Sequence, residues 1–96
     1  MILDQPLTIY TAAELKPRMI EAVGGPGFDG FDLSAVGEID SAGVQLLLLA
    51  RREAATRGAP FRLARASDCV IDALSMLGLE SMLRDATVSP DEEPNP

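Results

Sequence analysis

The sequence contains no histidine and only one cysteine, Cys69, among its 96 residues. Without histidine, neither Ser-His-Asp nor Cys-His catalysis can be assembled, and the usual zinc sites lack their ligands. A single cysteine excludes an intrachain disulfide, and a small chain without such bridges is typical of the cell interior. We therefore expect a protein that is not an enzyme and carries neither a metal nor a cofactor.

Positive charge is also scarce. Eight lysine and arginine residues stand against fifteen acidic ones, which gives a net charge of -7. Because nucleic-acid affinity depends on clustered cations that neutralise phosphates, this balance excludes DNA and RNA as expected partners. The only lysine, Lys16, lies early in the chain. A phospho-aspartate receiver needs a lysine late in the chain, so this α/β alternative is disfavoured as well.

Long apolar runs are absent. The longest, "LLLLA" at residues 46–50, is far shorter than the roughly 20 residues that a membrane-spanning helix requires. The opening "MILDQPLTIY" lacks the basic start and long apolar stretch of a signal peptide. These features predict a cytoplasmic protein without direct membrane insertion.

Strand-like and helical patterns alternate along the chain. "MIL", "LTIY", "FDLSAV" and "FRLAR" are typical of strands. The spacing of Leu15, Met19 and Val23 predicts a first helix, with Thr11 as its N-cap in a capping box with Glu14. A third helix is predicted to start at Ser67 and end near Gly78. This order predicts an α/β fold with a small, mostly parallel sheet.

The domain is expected to span residues 1–88. Within it, residues 79–88 fit either a short strand or a helical turn. The final segment 89–96, "SPDEEPNP", is acidic and rich in proline, a composition that predicts a disordered tail.

The longest predicted helix runs from Ser41 to about Arg57, where Gly58 and Pro60 end it. Its side chains divide into two series with helical spacing. One is a core-facing stripe of Gly43, Leu46, Leu47, Ala50 and Ala54, and the other comprises Ser41, Val44, Gln45, Leu48 and Arg52. The second series either widens the buried arc, with Ser41 as an N-cap, or forms a partner-binding face with a hydroxyl at its entrance. The two interpretations are compatible.

Several motifs together resemble the STAS domain, the module of sulphate transporters and anti-sigma-factor antagonists. They are "LTIYTAAELK", "DLS" at a strand end, "DSAG" at the start of the long helix, "ARREAATRG" at its end and "VIDALSMLGLESML". The resemblance implies a small mixed β-sheet with helices packed on one side, and a regulatory rather than catalytic role in bacterial signal transduction and transcription regulation.

The same resemblance implies roles for particular residues. In anti-sigma-factor antagonists, a serine protein kinase that is also the anti-sigma factor phosphorylates the serine matching Ser41, and the unmodified form binds that kinase. Asp40 matches the acid beside this serine, Asp32 the strand-end acid near the site, and Gly43 the small residue that lets the helix start close to the sheet. The alternative function is a constitutive interaction subunit of a chemotaxis-associated or lipid-transport ABC assembly, with Ser41 as a cap and contact residue only.

Overall fold

The computed structural model of the chain describes residues 1–83. The elements in chain order are α1 (Ile9–Val23), β1 (Phe31–Asp32), α2 (Ser41–Thr56), β2 (Leu63–Ala64), α3 (Asp68–Met76) and a terminal 3-10 turn (Glu80–Leu83). Strands and helices alternate, so the predicted α/β class is confirmed.

The sheet in residues 1–83 is small, and each of its pairings is parallel. β1 pairs with β2 in the register Phe31 with Leu63 and Asp32 with Ala64. On the other side of β1, Ile2 forms an isolated parallel bridge with Asp32. A second bridge, also parallel, joins Leu7 to Ile39. The predicted strands "MIL", "FDLSAV" and "FRLAR" each contribute only one or two residues to this sheet.

The predicted strand "LTIY" is wrong beyond Leu7, because α1 starts at Ile9. Thr8 is the N-cap, and its side chain accepts a hydrogen bond from the Tyr10 N–H at 3.2 Å. Thr11 completes the capping box, since its hydroxyl oxygen accepts from the Thr8 N–H at 3.0 Å. Thr11 therefore lies inside the helix as the reciprocal partner, and the predicted box with Glu14 does not form.

The core lies between the helices and the sheet. α1 buries Leu15, Met19 and Val23 as the spacing predicts, and it packs against α2, which also contacts α3. Phe31 of β1 is fully buried and makes edge-on ring contacts with Phe28 and Phe61, with centroid separations of 5.2 and 5.9 Å. The apolar stripe of α2 is also buried: Gly43, Leu46, Leu47, Ala50 and Ala54.

The predicted end of α2 at Gly58 and the predicted start of α3 at Ser67 are both found in the structure. α2 has its C-cap at Arg57, and Gly58 adopts a φ of 67°, a left-handed conformation that ends helices readily. Ser67 is the N-cap of α3 by position, yet its hydroxyl donates to the Val36 carbonyl at 2.6 Å and makes no cap bond. For residues 79–83 the helical-turn alternative is correct, with Met82 buried. The expectations for residues 84–88 and for the tail 89–96 lie outside the described residues.

Candidate functional site

The candidate site forms where α1 and α2 begin next to each other. The Leu7 N–H donates to the Glu38 carbonyl at 2.9 Å, and the Asp40 N–H donates to the Leu7 carbonyl at 3.0 Å. These bonds align the segment entering α1 with the segment entering α2. The first turns of both helices consequently lie at the same edge of the domain.

Asp40 connects the two helix starts through its carboxylate. As the N-cap of α2 it accepts a hydrogen bond from the Gly43 N–H on Oδ1 at 3.1 Å. Its other oxygen, Oδ2, accepts from the Ile9 N–H of α1 at 3.0 Å. The bond from Ile9, with further backbone bonds from Gly43 and Ala42, lowers the pKa of Asp40 below its usual value. A negative charge is favoured at this place, because it faces the positive ends of two helix dipoles.

Ser41 is the first residue of α2, and its side chain is exposed. The prediction that Ser41 caps the helix is wrong, since Asp40 occupies the cap position and supplies the cap bond. Among residues 1–83 no partner engages the Ser41 hydroxyl. The adjacent carboxylate is a poor base, because backbone N–H groups already stabilise its ionised form. The hydroxyl is thus accessible to a second protein but is not activated as a nucleophile by its neighbour.

Gly43 is the point of closest approach between α2 and the segment entering α1. A Cβ atom added there would lie 2.0 Å from the Leu7 carbonyl oxygen. Glycine is the only residue without such an atom, and Gly43 is buried. The expected role of Gly43, letting α2 start close to the sheet, has this close backbone contact as its physical basis.

The predicted partner-binding face of α2 is only partly accessible. Val44 is 1% exposed and belongs to the core, so for this residue the widened buried arc is correct and the partner-binding assignment is wrong. Leu48 is half-buried and packs against the core. α2 packs against both α1 and α3, so side chains beside the predicted core stripe are buried as well. Gln45 and Arg52 are exposed, as is Ser41.

Asp32 ends β1, and its carboxylate binds neighbours other than Ser41. Oδ1 accepts hydrogen bonds from the Ser34 N–H at 2.9 Å and from the Ser34 hydroxyl at 2.7 Å. The guanidinium of Arg65 lies 4.0 Å from Oδ2. The Ser34 bonds lower the pKa of Asp32, with a smaller contribution from Arg65. Within the described residues, Asp32 shapes the turn after β1 and has no contact with the Ser41 hydroxyl.

The first turn of α1 also belongs to this site, although the sequence motifs did not predict it there. Ile9 is 67% exposed and Tyr10 is 93% exposed, directly beside the Asp40 carboxylate that Ile9 binds. The available signal was the pair Thr8 and Thr11, which forms the capping box. The segment "LTIY" is predicted as a strand because β-branched and aromatic residues favour strands. With Thr8 inside a strand, its role as a helix cap is not recognised.

Residues 1–83 contain neither a metal-binding cluster nor a helix that could span a membrane. No group of three or more cysteine, aspartate or glutamate side chains is close enough there to hold a metal ion. Within the same residues, no helix has the length and apolar character needed to cross a membrane.

Comparison with protein families gives one result that covers nearly the whole chain. The family model described as the STAS domain matches residues 1–93. Comparison with individually curated proteins gave no match.

Proposed function

This chain belongs to the STAS domain family, and on that premise we propose that it is a cytoplasmic, non-catalytic regulator of the anti-sigma-factor-antagonist type. STAS domains generally mediate protein–protein interactions. In this proposal the partner is a serine protein kinase that also acts as an anti-sigma factor. Phosphorylation of Ser41 ends the interaction, and the unmodified protein keeps the partner away from its sigma factor.

The observation that carries the proposal is the state of the Ser41 side chain. It is exposed at the first position of α2, and no residue among 1–83 engages its hydroxyl. Asp40 performs the capping that a serine in this sequence context would otherwise provide. A kinase can therefore approach the Ser41 hydroxyl without first breaking a bond that the fold needs.

A phosphoryl group on Ser41 changes the charge of the site without removing any packing. It adds about -1.5 to -2 charges at neutral pH. At a helix N-terminus negative charge is favourable by about 0.3 to 1 kcal/mol, and here two helices begin together. The Asp40 carboxylate beside it opposes this gain through like-charge repulsion. We expect the fold to persist while a partner that has to desolvate this edge is rejected.

Phosphate mapping tests the proposal directly. The protein is incubated with ATP and each purified serine protein kinase of this type encoded in its source genome, and mass spectrometry locates the phosphate. Phosphate is expected on Ser41, and none on the Ser41→Ala variant. Ser75 is an exposed serine on α3, so Ser75→Ala is the matched control and retains full modification.

A binding measurement completes the test. Isothermal titration compares the affinity of the kinase for the unmodified protein and for the Ser41-phosphorylated protein, in the presence of ADP. The modified form is expected to bind more weakly by at least tenfold, with an unchanged circular dichroism spectrum. Equal affinity of the two forms contradicts the switch and favours a constitutive interaction subunit instead.

A further inference from the structure

An apolar pair of side chains stands out at the start of α1. Tyr10 is the only tyrosine of the chain, and it is 93% exposed, next to Ile9 at 67%. We propose that this turn is the second half of the docking surface, with Tyr10 as its anchor, and that the partner presents an apolar recess rimmed by lysine or arginine. This inference rests on the proposed function and extends it to a helix outside the α2 motif.

The backbone geometry places the turn at the modifiable serine. The Ile9 N–H is bonded to the carboxylate of Asp40 at 3.0 Å, and Ser41 is the next residue along the chain. The bonds between Leu7 and the segment 38–40 bring the two chain segments together before either helix begins. A protein that covers the Ser41 hydroxyl therefore comes close to the first turn of α1.

The turn is held in place before any partner arrives. Thr8 and Thr11 satisfy each other's backbone and side-chain groups, and the Thr11 hydroxyl donates to the Pro6 carbonyl at 2.7 Å. Binding thus needs little further ordering of this backbone, which is the main cost that preorganisation removes. Tyrosine is also enriched among the few residues that dominate interface energies.

The charges around Ile9 and Tyr10 favour a partner with basic residues. Segments 4–15 and 37–48 contain four acidic residues and no lysine or arginine: Asp4, Glu14, Glu38 and Asp40. Glu14 is paired with Arg18 at 3.7 Å, so the other three acids supply the negative charge of this surface. A second copy of this chain would bring the same acidic surroundings against them, which is unfavourable. A partner with a basic rim gains complementary charge at the edge of the surface. A phosphoryl group on Ser41 would have to lose its hydration against the apolar recess, and in this proposal that desolvation cost exceeds the attraction of the rim.

The test compares two exposed apolar side chains on different helices. Tyr10→Ser removes the proposed anchor, and Met76→Ser is the matched control, because Met76 is 86% exposed on α3. The measured quantity is kcat/KM for phosphorylation of Ser41 by the kinase that modifies the unaltered protein. We expect Tyr10→Ser to lower it by about 30-fold or more, the effect of losing an interface hot spot, and Met76→Ser to leave it within about twofold.

Two further variants distinguish contact from other effects. Tyr10→Phe keeps the ring and is expected to retain most of the kcat/KM of the unaltered protein. Glu38→Gln is expected to weaken the dependence of KM on NaCl between about 0.05 and about 0.5 M, because one charge facing the basic rim is removed. Circular dichroism should show native melting for Tyr10→Ser, since so exposed a side chain contributes little to the core.

The outcomes separate this inference from the proposed function. Normal phosphorylation of Tyr10→Ser, or equal impairment of Tyr10→Ser and Met76→Ser, overturns the anchor while the Ser41 switch stands. A dimer in sedimentation analysis that Tyr10→Ser dissociates overturns it in favour of a second copy as the occupant. Absence of phosphate from Ser41 of the unaltered protein with every such kinase overturns the proposed function and this inference with it.

Discussion

Asp40 and Arg57 lie at opposite ends of the same pair of helices. The Asp40 carboxylate binds first-turn N–H groups of both α1 and α2. Arg57 is the C-cap of α2, and its guanidinium approaches Gly24, the C-cap of α1, so closely that a Cβ added to Gly24 would lie 3.0 Å from Nη1. A negative group thus binds two helix N-termini. A positive group, itself paired with Glu53 at 2.8 Å, lies near the C-cap of α1 at the other end, where positive charge is favoured by the helix dipole.

Replacing Asp40 should separate its two structural roles. Asp40→Ala removes both hydrogen-bond acceptors, and we expect the largest fall in melting temperature. Asp40→Asn keeps one acceptor for the Gly43 N–H, since asparagine is a good N-cap, but its amide turns a donor toward the Ile9 N–H. An intermediate melting temperature is therefore expected by circular dichroism. If Asp40→Asn melts like the unaltered protein, the bond to α1 adds nothing to stability.

Acid should destabilise the protein through the same carboxylate. The hydrogen bond from Ile9 lowers the folded-state pKa of Asp40 below the value of about 3.9 for an unfolded chain. Stability from this group is therefore fully present above about pH 4 and is lost as the pH falls through the lower, folded-state pKa. Urea midpoints measured between pH 7 and pH ~2.5 should show a steeper acid loss for the unaltered protein than for Asp40→Asn. Equal slopes would contradict the assignment.

The acid slope should have a second component from Asp32. Hydrogen bonds from Ser34 lower its pKa in the same direction, so Asp32→Asn is expected to flatten the acid loss independently. The double variant with Asp40→Asn should combine both effects, because the two carboxylates bind different partners.

Ser41→Ala should be structurally silent. The hydroxyl has no partner among residues 1–83, so we expect the free energy of unfolding to change by no more than about 0.5 kcal/mol. Loss of a capping serine typically costs about 1 kcal/mol, which makes chemical denaturation a clear discriminator. A loss of that size in Ser41→Ala would indicate that Ser41 caps the helix, and would contradict the assignment of this role to Asp40.

Gly43→Ala should damage the fold severely. The added methyl would lie 2.0 Å from the backbone oxygen of Leu7, so α2 must move away from the segment entering α1. Overpacking of this kind costs about 1 to 3 kcal/mol, and more where backbone has to shift. Gly37→Ala is the control, because nothing lies within 4 Å of a Cβ there. That variant is expected to be neutral or stabilised by up to about 1 kcal/mol.

Much of α2 could be predicted from the sequence because local rules determine it. The stripe Gly43 to Ala54 follows from helical periodicity, and the end at Gly58 follows from the left-handed conformation that glycine adopts easily. Periodicity gives the direction of a side chain but not the number of neighbouring elements. Val44 therefore fitted either a buried arc or a partner-binding face, and the packing of α2 against α1 and α3 buries it.

The start of α2 was harder to predict, because aspartate and serine are equally good N-caps and stand side by side. The sequence offers no local reason to prefer Asp40 over Ser41. The choice depends on the Ile9 N–H, 31 residues away in the chain, and so on tertiary structure. The error at α1 has a local cause instead, since Thr8 caps the helix and Thr11, three residues on, is its reciprocal partner and not the cap.

The capping of α2 by Asp40 also affects how this protein can evolve. The side chain at position 41 does not cap the helix, so exchange among serine, threonine, alanine and cysteine there leaves the helix start intact. A modifiable hydroxyl can be lost or regained by a single substitution, with no compensating change elsewhere. The division between a residue that holds the helix and a neighbour that can vary lets position 41 change while the fold stays the same.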